Sequence, residues 1–359
     1  MPMYRVLIMG ASYGSLLAAK LLLAGHTVKL VCLPAEAQLI NHEGIRVRLP
    51  VKGRDGLVEV DSRRAPGRLS AAVPDDVAPE GFDLVVLAMQ EPQYRAPPVR
   101  KLLQQVVRSR IPCMSIMNMP PLPYLSRVPG LAGDAYRHCY TDPSVWDGFE
   151  PALMTLCSPD PQAFRPPDEK INVLQVSLPT NFKAARFDSD EHSAMLREMA
   201  AGIEGIRFAD GGGAVDLPVK LKVHESVFVP LAKWSMLVAG NYRCITADGM
   251  RSIRDAVHGD LARSQSIYDH VDAVARKLGA DPADQVPFGK YAKAAESLLK
   301  PSSAARAVAA GAPFIERVDL LVKLISHQLG VPNPEIDRTV ETVDQKLNEK
   351  IVQGGSGSQ

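Results

Sequence analysis

Residues Tyr4–Cys32 constrain this chain more than any other segment. A short apolar run, Val6-Leu-Ile-Met9, ends at Gly10, and Ala11-Ser-Tyr-Gly14 leads into about ten helix-forming residues that stop at Gly25. Thr27–Cys32 is then a second apolar run. Strand, glycine turn, helix and strand in this order open a Rossmann-type unit. Its helix N-terminus presents N–H groups and a partial positive charge to a pyrophosphate. A full G-x-G-x-x-G pattern would need glycine at 10, 12 and 15, whereas the chain has Gly10, Ser12 and Ser15, with Gly14 out of phase. Gly10, Ser12, Tyr13 and Gly14 are the candidate cofactor contacts of this turn.

A length of 359 residues suits two domains. Basic and acidic residues balance, 41 against 40, so no global field recruits nucleic acid or an anionic membrane. The five cysteines (32, 113, 139, 157, 244) are odd in number and lack the close spacing of metal ligands, which fits reduced thiols in a cytoplasmic protein without a bound metal. No apolar stretch reaches 18 residues, and the chain opens directly on a strand, so neither a membrane span nor a signal peptide is expected.

Apolar runs recur at Val28–Cys32, Asp83–Ala88, Pro112–Asn118, Ala152–Cys157 and Ile171–Ser177, a spacing that suits a parallel sheet with crossover helices. His42–Val60 reads as a hairpin excursion, Asp188–Gly205 as an amphipathic helix and Ile206–Phe208 as a last strand. Beyond the flexible Asp210-Gly-Gly-Gly213 the pattern turns helical, with helices expected at 218–245, 249–279, 285–299, 303–311, 314–329 and 334–351, the first kinked at Pro230. The expected fold is therefore α/β: a Rossmann-like doubly wound sheet over 1–213, an all-α domain over 214–352 and a disordered tail over 353–359.

Five places in this layout carry a family resemblance: the Gly10 turn; Leu87-Ala-Met-Gln90-Glu-Pro-Gln93; Ile116-Met-Asn118-Met; Leu231-Ala-Lys233-Trp-Ser-Met-Leu237-Val-Ala-Gly-Asn241; and Pro301-Ser302-Ser303 ahead of Ile315-Glu316-Arg317-Val-Asp319. In order and spacing, over about residues 4 to 335, the chain resembles the ketopantoate reductases. The resemblance implies a homodimeric, cytoplasmic NADP-dependent oxidoreductase of pantothenate synthesis that reduces a small 2-oxo acid. It implies Lys233 as the cation that polarises the ketone and protonates the alkoxide, a role that needs a donor aimed where charge develops. Asn118 and Asn241 would orient substrate, with Asn118 also at the nicotinamide ribose. Gln93 would lie near the cofactor, Ser303 would anchor substrate, and Glu316 would pair with the lysine.

Several positions depart from the family pattern. Leu237 stands where the family has a nearer asparagine, which favours an oxo compound other than ketopantoate. Gln90 replaces a lysine. At the end of the second strand, Leu30-Val-Cys-Leu-Pro34 offers neither the acid that binds an NAD ribose nor the arginine that binds an NADP phosphate, and the missing acid favours NADP. Two other readings stay open. An opine-type dehydrogenase reducing an imine would use His224, with Asp319 as its orienting acid. A catalytically silent nucleotide-binding or interaction module would keep the fold alone.

Overall fold

The computed structural model describes residues 2–209 and 211–355, with side chains described as far as residue 349. The described chain forms two compact units. One comprises the residues up to Met89, Gln93–Tyr124 and Ser144–Val227; the other comprises Gln90–Pro92, Leu125–Pro143 and the chain from Phe228 onward.

The first unit is built on the expected opening: β1 (Arg5–Met9), α1 (Tyr13–Leu23) and β2 (Thr27–Val31). Helix α2 (Pro34–Glu43) leads into the hairpin β3 (Arg46–Pro50) and β4 (Leu57–Asp61), and β5 (Arg68–Ala72) returns to lie parallel to β2. There follow β6 (Leu84–Leu87), α3 (Pro97–Ser109), β7 (Cys113–Ile116), the one-turn α4 (Leu122–Leu125), β8 (Met154–Ser158), β9 (Gln162–Phe164), β10 (Val173–Leu178), β11 (Phe182–Ala185) and α5 (Asp190–Glu204). A two-residue ribbon, β12 (Phe208–Ala209) with β13 (Ala214–Val215), precedes β14 (Leu221–His224).

Eight strands form one sheet in the order β14-β11-β8-β7-β6-β1-β2-β5, parallel throughout except where β11 runs antiparallel to β8. β4, β3, β10 and β9 form a second sheet, so the hairpin excursion recruits the Ile171–Ser177 run away from the main sheet. Val6, Ile8, Leu30, Val86 and Met114 of the main strands are buried in one hydrophobic core together with Leu17 and Leu21 of α1.

Two expectations change here. The expected strand at Ile206–Phe208 contributes only to the small ribbon, and the stretch from 218, expected as helix, supplies β14 at the sheet edge. Val219, Leu221 and Val223 alternate with Lys220, Lys222 and His224, and this period-2 pattern specifies a strand. The sheet-bearing unit consequently runs to Val227, past 213.

The second unit is mainly helical. A continuous helical segment begins as a 3-10 turn (Val229–Ala232), becomes α6 (Lys233–Met236), widens to a π turn (Leu237–Asn241) and closes as a second 3-10 turn (Tyr242–Cys244). Pro230 lies in the first turn, where its missing N–H removes no helical bond, so it starts the helix and does not kink it. A short ribbon, β15 (Ile245–Thr246) and β16 (Gly249–Met250), precedes α7 (Ile253–His258) and α8 (Leu261–Lys277). Asp260 caps α8 by accepting from the Arg263 N–H, which splits the single helix expected over 249–279. Helices α9 (Phe288–Ala295), α10 (Ser303–Ala309), α11 (Val318–Gln328) and α12 (Pro334–Gly355) complete the unit. Helix α12 covers 353–355 of the expected tail, and 356–359 lie outside the described residues.

Candidate active site

The sheet reverses its strand order between β1 and β6. From β1 the chain builds outward through β2 and β5, then returns to place β6 on the other side of β1. In open α/β sheets such a switch point, at the carboxyl ends of the strands, is where ligands bind. Gly10 sits there. Its N–H donates to the Val31 carbonyl at 2.9 Å, and its φ of +104° is one that side-chain-bearing residues rarely adopt. A Cβ at this position would lie 2.6 Å from Met89 Cγ and 2.7 Å from the Ala88 carbonyl oxygen, so glycine is required by both backbone and space. The Tyr94 hydroxyl, fully buried, accepts the Met89 N–H at 3.1 Å and fixes the opposing turn.

The other residues of the turn divide by role. Ser12 is the exposed N-cap of α1, and its side chain makes no cap bond. With no acidic residue in the first turn of α1, the helix N-terminus keeps its positive end uncompensated. Gly14 faces the sheet: a Cβ there would lie 2.6 Å from Ile8 Cγ2, so it serves the close helix–strand packing that the third glycine of the motif usually provides. Tyr13 also turns to packing, its hydroxyl donating to the Pro159 carbonyl at 3.1 Å and its ring edge-on to Phe182. Asn118 is half-buried just beyond the end of β7, two strands from β1, and Gln93 is exposed on the turn following β6.

The end of β2 carries two charged groups that sequence spacing could not connect. Leu33 is 70% exposed and caps α2, and three residues on, Glu36 is buried and ion-paired with Arg165. Burial raises the Glu36 pKa while Arg165 opposes the rise. Cys32 senses the same surroundings: burial, then the Glu36 charge, pushes its thiol up to about 12, with Arg165 opposing. The Arg165 side chain is 27% exposed against 7% for Glu36, so the arginine is the outward partner.

In the second unit the Lys233 helix is lined by buried Leu231, Ala232, Trp234, Leu237, Val238 and Ala239, whereas Lys233 and Asn241 are half-buried. Ser302 meets Asn241, and Glu316 meets the adjoining Tyr242. Ser302 donates from Oγ to the Asn241 carbonyl at 2.7 Å and caps α10 by accepting the Ala305 N–H. Ser303, the expected contact, is exposed one residue later. Glu316 lies buried ahead of α11, its carbonyl accepting from Tyr242 Oη at 2.5 Å and its Oε1 accepting the Glu91 N–H at 3.4 Å.

Glu91, inside the Leu87–Gln93 segment, carries no local signal of a site residue. It is buried, and its carboxylate accepts the Thr141 N–H at 3.0 Å and the Thr141 hydroxyl at 2.9 Å. Burial pushes its pKa up to about 7, with the Glu316 charge adding and the Thr141 hydrogen bonds opposing. Asp319 is sealed by Arg317, whose Nε and Nη2 donate to its two carboxylate oxygens at 3.0 and 3.1 Å. His224 is on strand β14, not at a helix start.

No family model and no curated protein sequence matches the chain. Solved structures do. The 2-dehydropantoate 2-reductase of Methylococcus capsulatus is 12% identical with a TM-score of 0.63, over 99% of this chain and 98% of its own. A D-mandelate dehydrogenase, solved with NADH and anilino(oxo)acetate, is 15% identical with a TM-score of 0.61, over 96% and 99%. The dimeric ketopantoate reductase of Staphylococcus aureus is 10% identical with a TM-score of 0.56, over 96% and 99%. The chain thus has the fold of the ketopantoate reductases and of D-mandelate dehydrogenase.

Proposed function

We propose that this protein is an NADPH-dependent oxidoreductase that reduces the carbonyl of a small 2-oxo acid, with Lys233 as proton donor. The observation that carries the reading is the Lys233 helix. A half-buried cation stands in a run of mostly buried apolar residues, with a half-buried asparagine eight residues on and a serine fixing that asparagine's backbone. A half-buried lysine in such a run lays its stem on apolar surface and keeps its ammonium where it can donate to a ligand oxygen.

The Gly10 turn and the first N–H groups of α1 would hold the pyrophosphate, and Arg165 would meet the 2′-phosphate in place of the arginine missing after β2. NADPH, when bound, supplies the hydride. Lys233 donates a hydrogen bond to the ketone oxygen, stabilises the charge that grows there and transfers a proton to the alkoxide. Asn241 and Asn118 orient the oxo acid. Glu316, held by the Glu91 N–H, provides the carboxylate for the lysine. Ser302 acts by holding the Asn241 backbone, next to Ser303, which the family resemblance implies as the substrate anchor. A homodimer in the cytoplasm goes with this reading, and the buried Leu237 beside Asn241 argues for an oxo acid less polar than ketopantoate.

The test is Lys233→Ala, assayed by NADPH oxidation with ketopantoate, phenylglyoxylate and branched 2-oxo acids. Loss of a general acid should lower kcat by about 10²- to 10⁴-fold while leaving the NADPH dissociation constant unchanged. A variant as active as the wild type would remove Lys233 from the mechanism.

A further inference from the structure

Lys233 and Asn241 are eight residues apart. An α-helix advances about 100° per residue, so a regular helix would leave Asn241 about 80° around the axis from Lys233. The chain avoids this with the π turn over Leu237–Asn241, in which the Tyr242 N–H reaches back five residues to the Leu237 carbonyl. Spreading one turn over an extra residue brings the two side chains to within about 20° of one line.

Such a turn disturbs the carbonyl ladder, and here side chains meet the carbonyls around it. The Met236 carbonyl accepts from Tyr291 Oη at 3.1 Å, that of Ala239 from Arg243 Nη1 at 2.9 Å, that of Gly240 from Cys244 Sγ at 3.5 Å, and that of Asn241 from Ser302 Oγ at 2.7 Å. The tyrosine is the most demanding of these partners. A Cβ on residue 240 would lie 1.9 Å from the Tyr291 hydroxyl oxygen and 3.2 Å from its ring carbon Cζ, so only glycine lets that hydroxyl reach the helix. The Tyr291 ring is itself held by stacking on Tyr268 at 5.5 Å, and Tyr268 is anchored by its hydroxyl to the Val286 carbonyl.

We infer that Tyr291 and Gly240 are positioning residues: together they hold the π turn and so set Asn241 in line with Lys233. The inference rests on the reductase reading, in which those two side chains meet the oxo acid. Tyr291→Phe keeps the ring stack and removes only the donor to Met236. Its KM for ketopantoate or phenylglyoxylate should rise about tenfold, with kcat falling less and the NADPH dissociation constant unchanged, as expected from one lost hydrogen bond. Gly240→Ala should raise KM further. Adding Tyr291→Phe to it should recover part of that loss, because the new Cβ then meets a ring carbon and not an oxygen.

An unchanged KM in Tyr291→Phe overturns the proposal, as does a proportional change in KM, kcat and cofactor binding across the series. If the wild-type protein reduces neither compound, the reductase reading fails separately. Amide exchange over residues 237–244 then decides the register claim: exchange about tenfold faster in Tyr291→Phe supports it, and unchanged exchange overturns it.

Discussion

Lys20 lies in α1 with 1% of its surface exposed, its ammonium donating to the Pro218 carbonyl. Burial, then the nearby Lys220 charge, pulls its pKa down to about 7. The folded state therefore holds fewer protons than the unfolded chain between about pH 7 and 10.5, and this lysine makes stability rise with pH across that window, by at most about 1.4 kcal/mol per unit. Glu91 carries the opposite sign. Its carboxyl is raised from 4.5 to about 7, so its contribution is complete at pH 4 and is lost as pH climbs through 7. Thermal melts should separate the two. The Tm advantage of Lys20→Met over wild type should shrink between pH 7 and 10, and that of Glu91→Gln should grow between pH 5 and 8. A difference that stays flat with pH in either variant would contradict the assigned burial. Arg165 is testable at the same scale: Arg165→Ala should weaken NADPH binding about tenfold and leave NADH binding unchanged, and equal effects on both would discard it as the phosphate partner.

At the scale of elements, the Ser302–Ser303 pair shows how a one-residue shift changes a side chain's burial and partners. Ser302 is buried, caps α10 and holds the Asn241 carbonyl, while Ser303 is exposed. Ser302→Ala should cost about 1–2 kcal/mol in chemical denaturation, and Ser303→Ala within about 0.5 kcal/mol; the reverse ranking would restore Ser303. Much of the element order was readable from the chain. The strand–turn–helix opening, the β3–β4 hairpin and the Ser189-capped helix α5 each have a local signal in apolar period or turn residues. Strand β14 has one too, in the alternation of Val219, Leu221 and Val223, although Pro218 and the helix-forming residues after 228 carry the opposite signal. The π turn has none: an expectation built on 3.6 residues per turn leaves Asn241 about 80° around the axis from Lys233 and cannot supply the extra residue.

For the whole molecule, the limits of sequence reading are set by contact distance along the chain. Glu36 and Arg165 are 129 residues apart, and Glu91 and Glu316 are 225 apart, so neither pair leaves a spacing to detect. The units interleave for the same reason. The second takes Gln90–Pro92 and Leu125–Pro143 out of the sheet-bearing half, where a composition shift places a single boundary. Among the described residues, no helix is long and apolar enough to cross a membrane, and no group of three or more His, Cys, Asp or Glu could hold a metal. The proposed chemistry rests on the Gly10 turn holding a nicotinamide cofactor, with serine at 12 and 15. Titration of the purified protein with NADPH and with NADH, followed by nicotinamide fluorescence, tests that directly. The account predicts micromolar binding of NADPH and weaker binding of NADH; binding of neither at millimolar concentration would contradict it.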